Sequence, residues 1–75
     1  MNNRNHELLI ELRERYPKGT RIQLIQMDDP YTKLVQGDKG TVNFVDDIGT
    51  IHVIWDSGAT LGIVYGVDSC CIIKE

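Results

Sequence analysis

The spacing of apolar residues changes at residues 17–19, and this change constrains the fold more than any other feature of the chain. Upstream of it, four apolar side chains recur at intervals of three and four and predict one apolar stripe on a helix over residues 5–16. These side chains are Leu8, Leu9, Leu12 and Tyr16. Downstream, apolar and polar residues alternate, which predicts strands. Pro17 separates the two patterns, because the residue before a proline avoids the helical region.

The ends of the predicted helix carry signals of their own. Asn5 is a suitable N-cap, and Glu7 then lies in the first turn, where an acidic side chain interacts favourably with the helix dipole. Ile10 points away from the apolar stripe, so we expect it to be exposed.

Five strands are predicted, separated by turns that contain Gly and Asp, at residues 20–27, 41–45, 50–55, 59–64 and 69–73. Alternation predicts that Val42 and Phe44 point inward, and that Ile51, Val53 and Trp55 share one face. Five short strands of this kind are typical of a small barrel. We therefore expect a mainly β fold, a five-stranded barrel preceded by one helix that covers an open end or edge.

The composition is that of a globular protein, and we expect residues 1–75 to form a single domain. Of its 75 residues, 41% are hydrophobic and 25% are charged. The N-terminus is too polar for a secretory signal and no apolar run approaches the ~20 residues of a membrane helix, so we expect a cytoplasmic protein. A core this small supplies only about 3–5 kcal/mol of net folding free energy. Association with further copies would add stability, so we expect a homo-oligomer.

The net charge of −3 is unevenly distributed along the chain. Residues 1–21 contain five basic and three acidic residues, whereas residues 22–75 contain three basic and eight acidic residues. An acidic body repels a phosphate backbone, which disfavours binding to bulk nucleic acid. A small anionic ligand is compatible with this charge, because a few local donors suffice to hold it.

Three segments carry a resemblance to known families: residues 18–22 (KGTRI), 37–42 (GDKGTV) and 45–58 (VDDIGTIHVIWDSG). The last two resemble the G-x-x-G-T-V and V-x-W-D-x-G signature of SH3-like small barrels, including the Mib/Herc2-type domains of eukaryotic ubiquitin ligases. More closely, residues 17–73 resemble a small bacterial domain-of-unknown-function family found in phages and integrative elements of Gram-positive bacteria. The resemblance implies an SH3-like barrel and an origin in a mobile element, and it implies no particular activity.

Residues capable of catalysis or metal binding are present without the spacing that such chemistry requires. Asp46, Asp47, Asp56 and Asp68 occupy turns, where a carboxylate accepts hydrogen bonds from nearby backbone amides. A bond between the neighbouring Cys70 and Cys71 would close a small strained ring, so we expect reduced thiols. The two side chains point to opposite faces of a strand, so we expect no zinc site. No nucleophile–base motif and no phosphate-binding loop occurs. We expect a protein that is not an enzyme and has no cofactor.

Six residues remain as candidates for binding a ligand. Tyr31 and Tyr65 lie in turns and are expected to be exposed, and Arg21 and Lys39 flank the loops as possible anion ligands. Trp55 is either part of the core or a stacking platform, and His52 lies on the strand face opposite Ile51 and Val53. We expect His52 to lie at the surface or in a contact between subunits.

Two functions fit these observations. The first is a non-enzymatic binding protein of phage or mobile-element origin that sequesters a small host ligand, such as an immune nucleotide signal, in an anti-defence role. The second is an SH3-like interaction module that binds a host or phage protein in an aromatic groove or along a sheet edge. In the second case the acidic body favours a basic partner. Fold resemblance does not choose between the two.

Overall fold

The computed structural model describes residues 3–28 and 32–74. One helix precedes five strands: α1 (Asn3–Arg15), β1 (Arg21–Gln26), β2 (Lys39–Val45), β3 (Thr50–Trp55), β4 (Ile63–Val64) and β5 (Ser69–Ile72). The strands form one antiparallel sheet in the order β4-β3-β2-β1-β5. The two outer strands β4 and β5 contact each other, and Tyr65 bridges to Asp68 between them. The sheet is therefore curved and barrel-like, as the sequence predicts.

The helix begins two residues earlier than the sequence predicts. It starts at Asn3, so Asn5 lies in the first turn instead of at the N-cap, and Glu7 lies beyond that turn. Both predictions about the helix start were wrong. The apolar stripe is confirmed: Leu12 and Tyr16 are buried in the core, with Leu8 and Leu9 packed against it, whereas Ile10 is exposed.

The core lies between α1 and the concave face of the sheet. The strands contribute Ile22 and Leu24 from β1, Val42 and Val45 from β2, Ile51, Val53 and Trp55 from β3, and Ile63 from β4. The shared face of Ile51, Val53 and Trp55 is confirmed, because each is 1% exposed.

Phe44 does not point inward, contrary to the prediction from alternation. The pairing of β2 with β3 shifts between Val42 and Phe44, so that Phe44 lies opposite His52 and Val45 opposite Ile51. This β-bulge adds one residue to β2 and moves the inward position to Val45. Phe44 is consequently half exposed on the outer face of the sheet.

The fourth strand is shorter than the predicted span of residues 59–64. Only Ile63–Val64 pairs with β3, opposite Ile51 and Thr50. A Cβ at Gly62 would lie 2.6 Å from Cγ2 of Thr50. The predicted turn at residues 28–31 lies mostly outside the described residues.

Candidate functional site

A cleft of about 420 Å³ opens at the end of the barrel where α1 ends and β5 begins. Its lining comes from the helix end, from β3 and β4, from the β4–β5 turn and from β5. The residues are Arg15, Tyr16, Ile51, Ile63, Tyr65, Gly66, Asp68, Ser69 and Cys70. Ligand pockets commonly measure about 300–1,000 Å³, so the cleft is large enough for a small organic molecule.

Two tyrosines and an arginine dominate the lining of the cleft. Tyr16 ends the apolar stripe of the helix and is 7% exposed, whereas Tyr65 is 51% exposed in the turn after β4. Cζ of Arg15 lies 5.4 Å from the centroid of the Tyr16 ring, within the range of a cation–π interaction. This contact positions a guanidinium at the edge of the cleft, beside an aromatic side chain.

Cys70 and Tyr16 meet inside the cleft. Burial raises the pKa of the Cys70 thiol above its ordinary value, and burial likewise raises the pKa of Tyr16, whose side chain interacts with that of Cys70. Both groups are therefore protonated at neutral pH. A neutral thiol and a neutral phenol form hydrogen bonds but are poor nucleophiles, so this pair is suited to binding.

Asp68 fixes the rim of the cleft through backbone hydrogen bonds. Its Oδ1 accepts a hydrogen bond from the amide of Asp28 at 2.8 Å, and its Oδ2 accepts one from the amide of Val64 at 2.9 Å. The carboxylate thus joins the end of β1 to the β4–β5 turn. The turn role expected for Asp68 is confirmed, and the segment that carries Tyr65 is held in place.

The residues predicted as ligand candidates lie in separate parts of the molecule. Tyr65 lies in the cleft, whereas Arg21 and Lys39 lie near Asp56 on the outer side of the sheet. Nη1 and Nη2 of Arg21 donate hydrogen bonds of 2.7 and 2.8 Å to the two carboxylate oxygens of Asp56. The Arg21 hydrogen bonds lower the pKa of Asp56, and the charge of Lys39 contributes to this effect. Tyr31 lies outside the described residues.

Trp55 belongs to the core, which removes it as a stacking platform. It is 1% exposed, and its indole N–H donates a 2.8 Å hydrogen bond to the carbonyl oxygen of Leu61. His52 lies on the outer face, where its ring stacks on Phe44 with centroids 4.3 Å apart. Its Nε2 lies 2.8 Å from Oδ2 of Asp46.

Most residues of the cleft were not among the predicted ligand candidates. The sequence predicts that Tyr16 is a core residue and that Cys70 is an unreactive thiol. Their meeting depends on β5 pairing with β1, which brings Cys70 opposite the core residue Leu24. The sequence signal that was available is the polar tip of Tyr16, because a buried tyrosine hydroxyl usually has a polar neighbour.

Comparison with known families gives a single positive result. The family model described as "Domain of unknown function (DUF4314)" matches residues 5–73, nearly the whole chain. The chain belongs to the DUF4314 family. No curated protein matches it. The match confirms the resemblance to a domain-of-unknown-function family, and this DUF4314 chain places the cleft entirely within the matched residues.

Within residues 3–28 and 32–74, no helix of this DUF4314 protein has the length and apolar character needed to cross a bilayer. The same described part of the chain contains no group of three or more His, Cys, Asp or Glu side chains arranged to hold a metal ion.

Proposed function

We propose that this DUF4314 protein is a non-enzymatic binding protein whose end-of-barrel cleft takes a small, flat, anionic ligand of the nucleotide class. The observation that carries the proposal is the cleft of about 420 Å³, in which Tyr16 and Tyr65 accompany the guanidinium of Arg15. An aromatic ring of the ligand packs against the tyrosines and the apolar floor of Ile51 and Ile63. A phosphate group meets Arg15 and the hydroxyl of Ser69.

The chemistry of the cleft supports binding without catalysis. Burial keeps Cys70 and Tyr16 protonated at neutral pH, so neither supplies an anionic nucleophile. Each carboxylate oxygen of Asp68 already accepts a hydrogen bond from a backbone amide. The proposed biological role is sequestration of a host immune nucleotide signal by a cytoplasmic, SH3-like protein of phage or mobile-element origin. The sequence resemblance supports that origin.

Thermal unfolding in the presence of nucleotides tests the proposal. The panel contains cyclic dinucleotides, cyclic mononucleotides and ADP-ribose derivatives, each added to the purified full-length protein. A ligand at about 100 times its Kd adds roughly 2.7 kcal/mol to the free energy of unfolding. In a domain of this size that corresponds to a rise in Tm on the order of 10 °C or more. If no member of the panel raises the Tm, the proposal fails.

Two variants locate the binding site. Tyr65→Ala removes an aromatic side chain that lines the cleft, and Val67→Ala is the matched control, because Val67 is exposed in the same turn but does not line the cleft. We expect Tyr65→Ala to bind the active nucleotide with an apparent affinity, derived from the rise in Tm, at least tenfold lower than that of the wild type. Val67→Ala should bind the nucleotide with unchanged affinity. Equal responses in the two variants would place the ligand elsewhere.

A further inference from the structure

The floor and the rim of the cleft differ in polarity. Ile51 and Ile63 form an apolar floor, and both are fully packed in the core. The cation and two of the hydroxyl groups of the lining belong to residues that are exposed to solvent, namely Arg15, Tyr65 and Ser69. A ligand that enters the cleft therefore meets a charge and water at the rim and apolar side chains at the floor.

One polar pair lies deeper than the rim: the hydroxyl of Tyr16 and the thiol of Cys70. The side chain of Tyr16 is more than nine-tenths buried, and it forms a hydrogen bond with the side chain of Cys70. Asp68, which also lines the cleft, already accepts a backbone hydrogen bond at each of its carboxylate oxygens. The pair of Tyr16 and Cys70 is therefore the polar feature that the inner part of the cleft offers to a ligand.

The polar tip of Tyr16 faces the cleft. Tyr16 lines a second, shallower groove as well, together with Pro17 and Phe44. Cys70 lines the cleft and does not line that groove. Because the hydroxyl is the group of Tyr16 that is bonded to Cys70, the hydroxyl lies on the side of the cleft.

The thiol is a weak partner for this hydroxyl. Burial raises the pKa of Cys70, so the sulfur is protonated at neutral pH, and a protonated sulfur is a weak hydrogen-bond acceptor. The hydroxyl proton of Tyr16 rotates to suit its acceptor, so it can be donated elsewhere without movement of the buried ring. A ligand that brings an oxygen or nitrogen acceptor to this point gains a hydrogen bond, while the protein gives up a weak one.

We propose that Tyr16 determines the specificity of the cleft by donating a hydrogen bond from its hydroxyl to an acceptor atom on the edge of the bound base. This inference rests on the proposed nucleotide function and adds the direction in which the ligand enters. The base enters first, with a ring nitrogen or carbonyl oxygen at Tyr16, and the phosphate stays at the rim beside Arg15. A ring without an acceptor on that edge binds more weakly, because a site that is built to hydrogen-bond its ligand rejects the analogue that lacks the partner atom.

Two matched substitutions test the role of the hydroxyl. Tyr16→Phe removes the buried hydroxyl and keeps the ring, whereas Tyr65→Phe makes the same change at the exposed rim. Isothermal titration calorimetry on the full chain uses cyclic AMP, cyclic di-AMP and ADP-ribose, one member of each class in the thermal panel. We expect Tyr16→Phe to weaken binding of the active probe by roughly tenfold, and Tyr65→Phe to weaken it by a smaller factor.

Two substitutions of Cys70 separate this role from packing. Cys70→Ser gives the Tyr16 hydroxyl a stronger acceptor in the free protein, which competes with the ligand. Cys70→Ala removes the partner and leaves the hydroxyl to the ligand. We therefore expect Cys70→Ala to bind the probe several times more tightly than Cys70→Ser. A pair that only fills space predicts the opposite order, because serine is closer to cysteine in volume than alanine is.

Deaza analogues of the active probe test the contact from the side of the ligand. In each analogue one ring nitrogen of adenine is replaced by C–H, which removes one acceptor. With the wild type, one analogue should bind more weakly than its parent by about fivefold or more. With Tyr16→Phe, the same analogue should bind as well as its parent, since the hydroxyl that distinguishes them is absent.

The results that overturn this inference differ from those that overturn the proposed function. A Tyr16→Phe variant that binds the probe as tightly as the wild type overturns the inference while the nucleotide function stands. So does a Cys70→Ser variant that binds at least as tightly as Cys70→Ala, and this comparison decides the matter if Tyr16→Phe does not fold. A wild type that binds none of the three probes also overturns the inference, and the full thermal panel then decides the proposed function separately.

Discussion

Gly40 occupies a position in β2 where the backbone passes directly over side chains of β3. A Cβ there would lie 2.6 Å from Cγ1 of Val53 and 3.0 Å from Cε3 of Trp55, both of which are fully packed in the core. Gly58 has a different requirement: its φ of +96° suits glycine, and a Cβ would meet nothing within 4 Å. One glycine is required by crowding and the other by backbone conformation.

Because the two requirements differ, asparagine should destabilise the protein more than alanine does at Gly40 and less than alanine does at Gly58. Gly40→Ala costs about 1–3 kcal/mol of unfolding free energy through overpacking, and Gly40→Asn costs more because its side chain is larger. Gly58→Ala costs on the order of 1–2 kcal/mol through strain, whereas Gly58→Asn recovers much of that loss, because asparagine tolerates the left-handed region. Urea denaturation measures all four values. An asparagine that helps at Gly40 and not at Gly58 would contradict this assignment.

The Cys70 thiol provides a residue-scale prediction about pH. Burial raises its pKa above the ordinary value of 9.0. The thiol therefore contributes stability that is complete below pH 9.0 and is lost as the pH rises through the raised value. In a Cys71→Ser variant, which leaves Cys70 as the single thiol, we expect iodoacetamide to react more slowly than with free cysteine, with the midpoint of the pH–rate profile above 9.0.

Tyr16→Phe serves as the comparison in that experiment. The Tyr16 side chain lowers the pKa of Cys70, opposing the larger effect of burial. Removing the hydroxyl in the Cys71→Ser background should therefore move the midpoint of the pH–rate profile to a still higher pH. A shift to lower pH would show that the hydroxyl does not contact the thiol.

At the scale of the element, strand β2 illustrates what a bulge does to a strand. Val45 is 6% exposed, whereas its neighbour Phe44 is 50% exposed. A lysine at Val45 has to bury an unpaired charge, which costs several kcal/mol and unfolds a domain of marginal stability. A lysine at Phe44 points to solvent and costs about 1 kcal/mol, mainly the lost stacking with His52. Circular dichroism distinguishes the two variants, and the reverse result would return Phe44 to the core.

The elements differ in how well the sequence predicts them. The third strand is predicted to the residue, because Ile51, Val53 and Trp55 alternate without interruption between two turns that contain Asp and Gly. The second strand is predicted in place but not in register, because a bulge follows from pairing with β3 and leaves no local signal. The fourth is overestimated, because alternation over residues 59–64 does not show that only Ile63–Val64 reaches β3.

The cleft is harder to predict from the sequence than the fold is, for a related reason. Tyr65 is predicted as a candidate because it lies in a glycine turn, and turns are usually exposed. Arg15, Tyr16 and Cys70 are brought together by the pairing of β1 with β5, which joins residues about fifty positions apart in the chain. Alternation indicates which residues point inward, but it does not indicate which strands are neighbours.

At the scale of the whole molecule, the Asp68 carboxylate connects two segments forty positions apart, the end of β1 and the β4–β5 turn. We expect Asp68→Ala to leave the fold intact and to increase amide hydrogen exchange at both Asp28 and Val64. Exchange at Val53, in the centre of the sheet, serves as the internal control. Faster exchange at Val53 as well would mean that the whole barrel had been destabilised, and unchanged exchange at Asp28 and Val64 would show that the carboxylate is not their acceptor.

Trp55 gives the molecule a built-in fluorophore. It is the single tryptophan of the chain, it is shielded from water, and its N–H is satisfied by a backbone carbonyl. Its emission spectrum therefore reports the integrity of the barrel. Trp55 does not line the cleft, so a molecule that enters the cleft should leave the indole environment unchanged, and a red shift during a nucleotide-binding experiment signals unfolding and not association.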